Sequence, residues 1–170
     1  GNGVYSIIIP NSWDGYAISR ESVQYQMKEK SNSDGIQARH RRGVLMATSG
    51  AKNIRYLSSV PAEWKTAINE ARLEWNKLGK SLTFNTPTNG SFTSGRLNVS
   101  FEPLTNYGYS LTKSKSTHAI TYLPDASNPT IGYQLIINTE YAGASTNPSQ
   151  KKFIMAHELG HSIGFAHTDT

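Results

Sequence analysis

The sequence predicts an α/β fold, a mixed twisted sheet packed with a backing helix and a second helix that carries the chemistry. Three observations predict it. An alternating segment, Asn53–Val60, runs into an amphipathic helical pattern over Pro61–Gly79. Short alternating or apolar runs follow between Leu82 and Asn138. A last helical pattern then covers Ser149–Ile163.

The elements follow from the residues in order. Residues 1–45 read as an irregular N-terminal segment, rich in the turn formers Asn11, Asp14, Gly15, Asn32, Asp34 and Gly35. Residues 46–170 read as the folded unit. Asn53–Val60 places Ile54, Tyr56 and Ser58 on one face and Arg55, Leu57 and Ser59 on the other, as one strand does. Pro61 suits a first helical turn. Trp64, Ile68, Ala71, Trp75 and Leu78 recur at helical spacing, and Gly79 is a natural stop. Leu82–Asn85 reads as a short strand and Thr86–Gly95 as a loop. Arg96–Glu102 reads as a strand with Leu97, Val99 and Phe101 inward, and Pro103–Thr117 as a loop. His118–Leu123 has strong β propensity and ends at Pro124. Tyr133–Asn138 is near-continuously apolar, which fits a strand buried on both faces. The one crossover helix after the first strand implies a parallel pair there.

Composition narrows the chemistry. The chain has 170 residues, enough for one domain with a real core. It has no cysteine, which excludes disulfide frameworks, thiolate metal sites and cysteine nucleophiles. Charged residues make up 17%, and Ser, Thr, Asn and Gly fill the difference, as in a secreted, cell-surface or periplasmic bacterial chain. The net charge of +5 is scattered, without the interleaving of cations and aromatics that a nucleic-acid binder needs. The one dense run, Arg39-His40-Arg41-Arg42, reads as a solvated loop or a cleavable junction. No apolar stretch approaches the roughly 20 residues of a membrane span. Ile7-Ile8-Ile9 is too short for a signal-peptide core, and the chain begins with Gly rather than Met, as a mature or trimmed form does.

The last helix carries the pattern H-E-x-x-H-x-x-G-x-x-H as His157, Glu158, His161, Gly164 and His167. His157 and His161 lie one turn apart on one helical face, where two imidazoles can chelate one zinc ion. Glu158, one residue around, can reach a water on that metal. Gly164 can take a left-handed conformation that ends the helix and reverses the chain, which returns His167 as a third nitrogen ligand. Three protein ligands leave the fourth position open, the arrangement of a catalytic rather than a structural zinc site. The full pattern arises by chance in a chain of this size on the order of once in 10⁵ sequences.

This segment resembles the active-site helix of the metzincin zinc endopeptidases. The run His157–Asp169 (HELGHSIGFAHTD) is most similar to the bacterial group of myxobacterial protease B-like, or dual-action HEIGH, metallopeptidases, with Leu159 in place of the usual Ile. Val60–Phe84 resembles that group's first helix and second strand; astacins are the second choice. The resemblance implies a zincin-like fold. It implies zinc held by His157, His161 and His167, and peptide-bond hydrolysis by zinc-bound water with Glu158 as general base and proton shuttle. It also implies that a peptide or protein substrate lies along an antiparallel edge strand. By position that strand is His118–Leu123, with His118, Ala119, Ile120, Thr121 and Tyr122 as substrate-binding candidates. His118 itself reads as an exposed strand residue rather than a ligand, because the motif already fills three zinc positions.

Metzincins carry a methionine-bearing turn after the third histidine. Met27, Met46 and Met155 are the only methionines here, so the C-terminal subdomain with that turn is expected to be absent. A fragment, a second chain left by internal cleavage, and a natural minimal form all account for this, the fragment ranking first. The underside of the last helix (Met155, Leu159, Ile163) is then expected to need cover from a second chain or the missing subdomain, and this chain alone to have weak activity or none. A peptide-binding module derived from the same fold, inactive in this form, is the alternative. Residues 1–45 are a candidate pro-segment remnant; Asp14 reads first as a turn residue before Gly15, and second as a blocking donor to zinc. Lys151 and Lys152 sit unfavourably near the positive end of the helix dipole, with solvent exposure as their only account.

Overall fold

The structure, a computed structural model, describes residues 47–77, 81–144 and 146–165. The N-terminal segment with Asp14 and Arg39–Arg42, as well as Gly79 and His167, lies outside the described residues.

Strands β1 (Gly50–Lys52) and β2 (Ile54–Tyr56) come first, followed by helix α1 (Ala62–Asn76). Next are β3 (Leu82–Phe84), β4 (Thr88–Asn89) and β5 (Leu97–Glu102). A short 3₁₀ turn (Leu104–Tyr107) and α2 (Leu111–Lys115) lead to β6 (Ala119–Thr121), β7 (Gln134–Asn138) and α3 (Pro148–Ser162). The main sheet has the order β4-β2-β5-β7-β6. Its pairs are parallel except β6 with β7, which is antiparallel. β1 and β3 form a separate parallel pair, and the connection between them runs through α1. This is a mixed α/β, zincin-like fold, as the sequence predicts.

The segment expected as one strand, Asn53–Val60, is shorter than expected, with only Ile54–Tyr56 extended in the sheet, and a separate strand precedes it. Gly50–Lys52 pairs with β3, while Ile54–Tyr56 pairs with β4 and β5. Asn53 sits at the switch, its side chain accepting from Asn85 Nδ2 at 3.0 Å. The strand stops at Tyr56 because Val60 N–H bonds back to the Leu57 carbonyl and closes a turn before Pro61. α1 then buries Trp64, Ala67, Ile68, Ala71 and Trp75, one stripe at helical spacing. Arg72 Nη1 and Asn76 Nδ2 both donate to the Phe84 carbonyl, at 3.1 and 3.0 Å, and Asn76 Oδ1 accepts from Phe84 N–H at 2.8 Å. These bonds stitch β3 to the helix that precedes it.

In β5 the expected inward face is only half the account. Leu97 and Val99 are buried, but so are Asn98 and Ser100, while Phe101 is only partly buried. A central strand has no solvent face, so its polar residues must be satisfied internally. Asn98 bonds the carbonyls of Thr93, Arg96 and Tyr133, and Ser100 accepts from Gln134. β7 is buried along its whole length. The stretch Pro103–Thr117, expected as loop, holds the 3₁₀ turn and α2. Asn138 at the end of β7 organises it, accepting from Leu104 N–H and donating to the carbonyls of Ser114 and Thr117.

α3 starts with a capping box: Asn147 Oδ1 accepts from Gln150 N–H at 2.8 Å, and Gln150 Oε1 accepts from Asn147 N–H at 2.9 Å. Its two lysines have partners on α1, which corrects the expectation of mere exposure. Lys152 Nζ pairs with Glu74 at 3.2 Å, and Lys151 Nζ lies 5.4 Å from the Trp64 ring centroid. A second correction concerns the underside of α3. Met155, Leu159 and Ile163 are each 0% exposed and belong to one core with α1 and the sheet. The chain covers that face itself, so no second chain is needed there.

Candidate metal centre

Ten consecutive residues of α3, Phe153 to Ser162, are buried, so the helix carries its polar side chains into the interior. His157, Glu158 and His161 are among them. The i, i+4 spacing sets the two imidazoles 4.4 Å apart between centroids and nearly perpendicular, at 88°. His157, Glu158 and His161 each offer a ligand atom, and these atoms lie within 4.8 Å of one another.

The end of α3 arranges one of these rings. Gly164 has φ +109°, a conformation that L side chains rarely adopt. The reversal bonds Gly164 N–H to the His161 carbonyl and Phe165 N–H to the Gly160 carbonyl. It also brings the Phe165 carbonyl to 2.6 Å from His161 Nδ1. A carbonyl can only accept, so Nδ1 carries a proton, and in the neutral ring Nε2 then carries the lone pair. This is how a ligating histidine is commonly oriented. The Phe165 ring stacks on Trp75 of α1 at 5.9 Å, and Trp75 Nε1 donates to the Ala156 carbonyl at 2.8 Å. α1 thus fixes the helix on both sides of the histidine pair. A site of imidazole nitrogens with a carboxylate beside it suits a borderline divalent cation such as zinc.

β6 is the edge of the main sheet, beside α3. Ala119, Ile120 and Thr121 form it, and His118 and Tyr122 flank it. His118 O accepts from Asn138 N–H, and Tyr122 N–H donates to Gln134 O, so the even-numbered residues turn their backbone toward β7. In an antiparallel pair the alternate residues, Ala119 and Thr121, turn theirs outward. His118 is not the exposed residue expected. It is half-buried and stacks on Tyr141 with centroids 3.7 Å apart, and burial pushes its pKa down to about 4. Tyr141 carries no motif signal. Thr121 was singled out for its backbone, yet its hydroxyl donates to Glu158 Oε1 at 2.6 Å. The pairing joins residues 37 positions apart, which no local spacing announces.

The family model of the dual-action HEIGH metallo-peptidases matches residues 16–170, nearly the whole chain. The chain belongs to this family. It is therefore a metallopeptidase, a hydrolase that acts on peptide or protein substrates and uses a metal ion. The resemblance carried by Val60–Phe84 and His157–Asp169 is borne out, and the astacin-like second choice is set aside. Comparison with curated proteins finds no match. Among the described residues of this HEIGH metallopeptidase, no helix is long and apolar enough to cross a membrane.

Proposed function

We propose that this metallopeptidase is a zinc-dependent endopeptidase in which His157, His161 and His167 hold the metal and Glu158 moves the proton. The observation that carries the reading is the convergence of His157, Glu158 and His161 on one buried helix beside an antiparallel edge strand. His161, with its Nδ1 proton donated to the Phe165 carbonyl, presents Nε2 to the ion. Zinc, when bound, supplies Lewis acidity to a water molecule and to the scissile carbonyl. Glu158 takes the proton of the attacking water and later delivers it to the leaving amine. The substrate adds as a further strand, its backbone pairing with the outward groups of Ala119 and Thr121. Burial of the site excludes bulk water and strengthens each of these electrostatic interactions.

The test compares wild type with His157→Ala and Glu158→Ala in the longest available chain, on metal content and on cleavage of a casein-type substrate. Wild type and Glu158→Ala should bind zinc, whereas His157→Ala should bind it much more weakly. Glu158→Ala should lose at least about 10² to 10⁴ in rate, the range of general acid–base catalysis. Full activity in Glu158→Ala would sink the assignment. Peptide binding without cleavage in wild type would favour the binding-module alternative. By its Ser-, Thr-, Asn- and Gly-rich composition we also propose that the enzyme is secreted, cell-surface or periplasmic and bacterial; recovery from the cytoplasmic fraction alone would contradict this.

A further inference from the structure

We propose that Thr121 is a positioning residue for Glu158, coupling the docked substrate strand to the proton-transfer carboxylate. This rests on the assignment of Glu158 as the general base. Thr121 Oγ1 donates to Glu158 Oε1 at 2.6 Å, within the short range of hydroxyl–carboxylate bonds. A carboxylate turns as a rigid unit about its last side-chain bond. Holding Oε1 therefore fixes where Oε2 sits. Glu158 is 6% exposed, so little water is at hand to replace the bond if it is removed.

The strand geometry gives Thr121 two directions at once. Its side chain stands off the sheet toward α3, as the bond to Glu158 shows. Its N–H and C=O lie in the plane of the sheet and turn outward from β7, because Thr121↔Leu135 alternates with the hydrogen-bonded pairs on either side. A substrate strand that pairs with this backbone clamps the residue whose hydroxyl orients the base. Threonine suits the task because its β-branch restricts χ1 and so holds the hydroxyl in one direction. A ligand that does not pair with the Thr121 backbone leaves that residue unclamped. The link thus ties strand docking at β6 to the aim of the carboxylate.

The experiment uses the full chain with Thr121→Val, which keeps the shape and the β-branch but removes the donor, and Thr121→Ser, which keeps the donor. Thr121→Val should lower kcat by about 10- to 100-fold, the scale of a misplaced catalytic group. KM should stay within about twofold, since backbone pairing is unchanged. Zinc stoichiometry should match wild type, and the thermal midpoint should fall by only a few degrees, the cost of one lost hydrogen bond to a buried carboxylate. Thr121→Ser should recover kcat to within about threefold of wild type. A Thr121→Val enzyme with wild-type kcat, or a Thr121→Ser enzyme as slow as Thr121→Val, overturns the proposal. A crystal structure of Thr121→Val tests it without any activity: the Glu158 carboxylate should rotate or split between positions, and an unmoved carboxylate refutes the positioning role. That readout separates failure of this inference from failure of the endopeptidase reading, which would show as a protein that binds zinc and cleaves nothing even in its longest available form.

Discussion

α1 and α3 are two helices of 15 residues that solve opposite problems. α1 buries one stripe and keeps a polar face, the ordinary arrangement of a helix laid on a sheet. α3 is buried on all sides from Phe153 to Ser162 and takes two histidines and a glutamate with it. Burying ionisable groups is costly unless they are paired, hydrogen-bonded or bound to a metal. Apolar packing alone does not explain α3, whose interior gathers His157, Glu158 and His161 within reach of one metal ion. Nor does α3 stand by itself. Trp75 reaches its backbone at Ala156, Trp64 and Glu74 receive its lysines, and Trp75 stacks on Phe165 just past its end. The comparison teaches a division of labour in which α1 is scaffold and α3 is chemistry, and Trp75 joins the two.

The sharpest way to break that division is Trp75→Ala. The side chain is 1% exposed, stacks on Phe165 and donates to the Ala156 carbonyl. Removing it should cost about 3–5 kcal/mol, the range for large aromatic deletions in cores. Denaturant unfolding measures the loss. Residual folded protein should also bind zinc more weakly, because Phe165, whose carbonyl orients His161, has lost its stacking partner. A variant destabilised by less than about 1 kcal/mol, with unchanged metal affinity, would show that α3 holds its geometry without α1.

How much of this was readable from the sequence depends on whether the signal was local. The α1 stripe, the apolar run of β7 and the H-E-x-x-H spacing each lie within a few turns of chain, and the structure places them within a few residues of expectation. Gly164 was readable for the same reason, since a glycine one turn past His161 leaves few other roles. The switch at Asn53 between Gly50–Lys52 and Ile54–Tyr56 was not, because extended alternation looks the same whichever sheet a strand joins. Asn138 could not be seen organising Leu104, Ser114 and Thr117, nor Lys152 meeting Glu74, since those partners are far along the chain. The need for cover over Met155, Leu159 and Ile163 was inferred from a relative's missing half, and the chain's own packing overrules it.

The helix starts sharpen the comparison with a smaller effect. α1 begins at Pro61 with no side-chain cap, and Glu63 faces the positive end of its dipole. α3 has no acidic residue in its first turn and carries Lys151 and Lys152 close behind it, but Asn147 and Gln150 close a capping box. Asn147→Ala should therefore destabilise by about 1 kcal/mol, seen as a lower denaturant midpoint with an unchanged slope. No measurable shift would mean that the α1 contacts of the two lysines hold the start of α3 unaided.

The smallest effect at neutral pH belongs to His118, which lies outside the motif and packs against Tyr141 at the head of β6. Burial lowers its pKa from 6.5 to about 4. At pH 7 it is largely neutral in both folded and unfolded chains, so it contributes little pH dependence there. Between about pH 6.5 and 4 the unfolded chain takes up a proton that the folded chain refuses. The unfolded state then binds more protons, so stability rises with pH across this window and falls as pH drops through it. His118→Phe keeps a ring against Tyr141 and removes the titration. Urea unfolding at pH 7 and pH 5 should show wild type losing more stability on acidification than the variant. The carboxylates titrate in both proteins, so the difference between the two slopes isolates His118, and identical slopes would place this ring in solvent rather than against Tyr141.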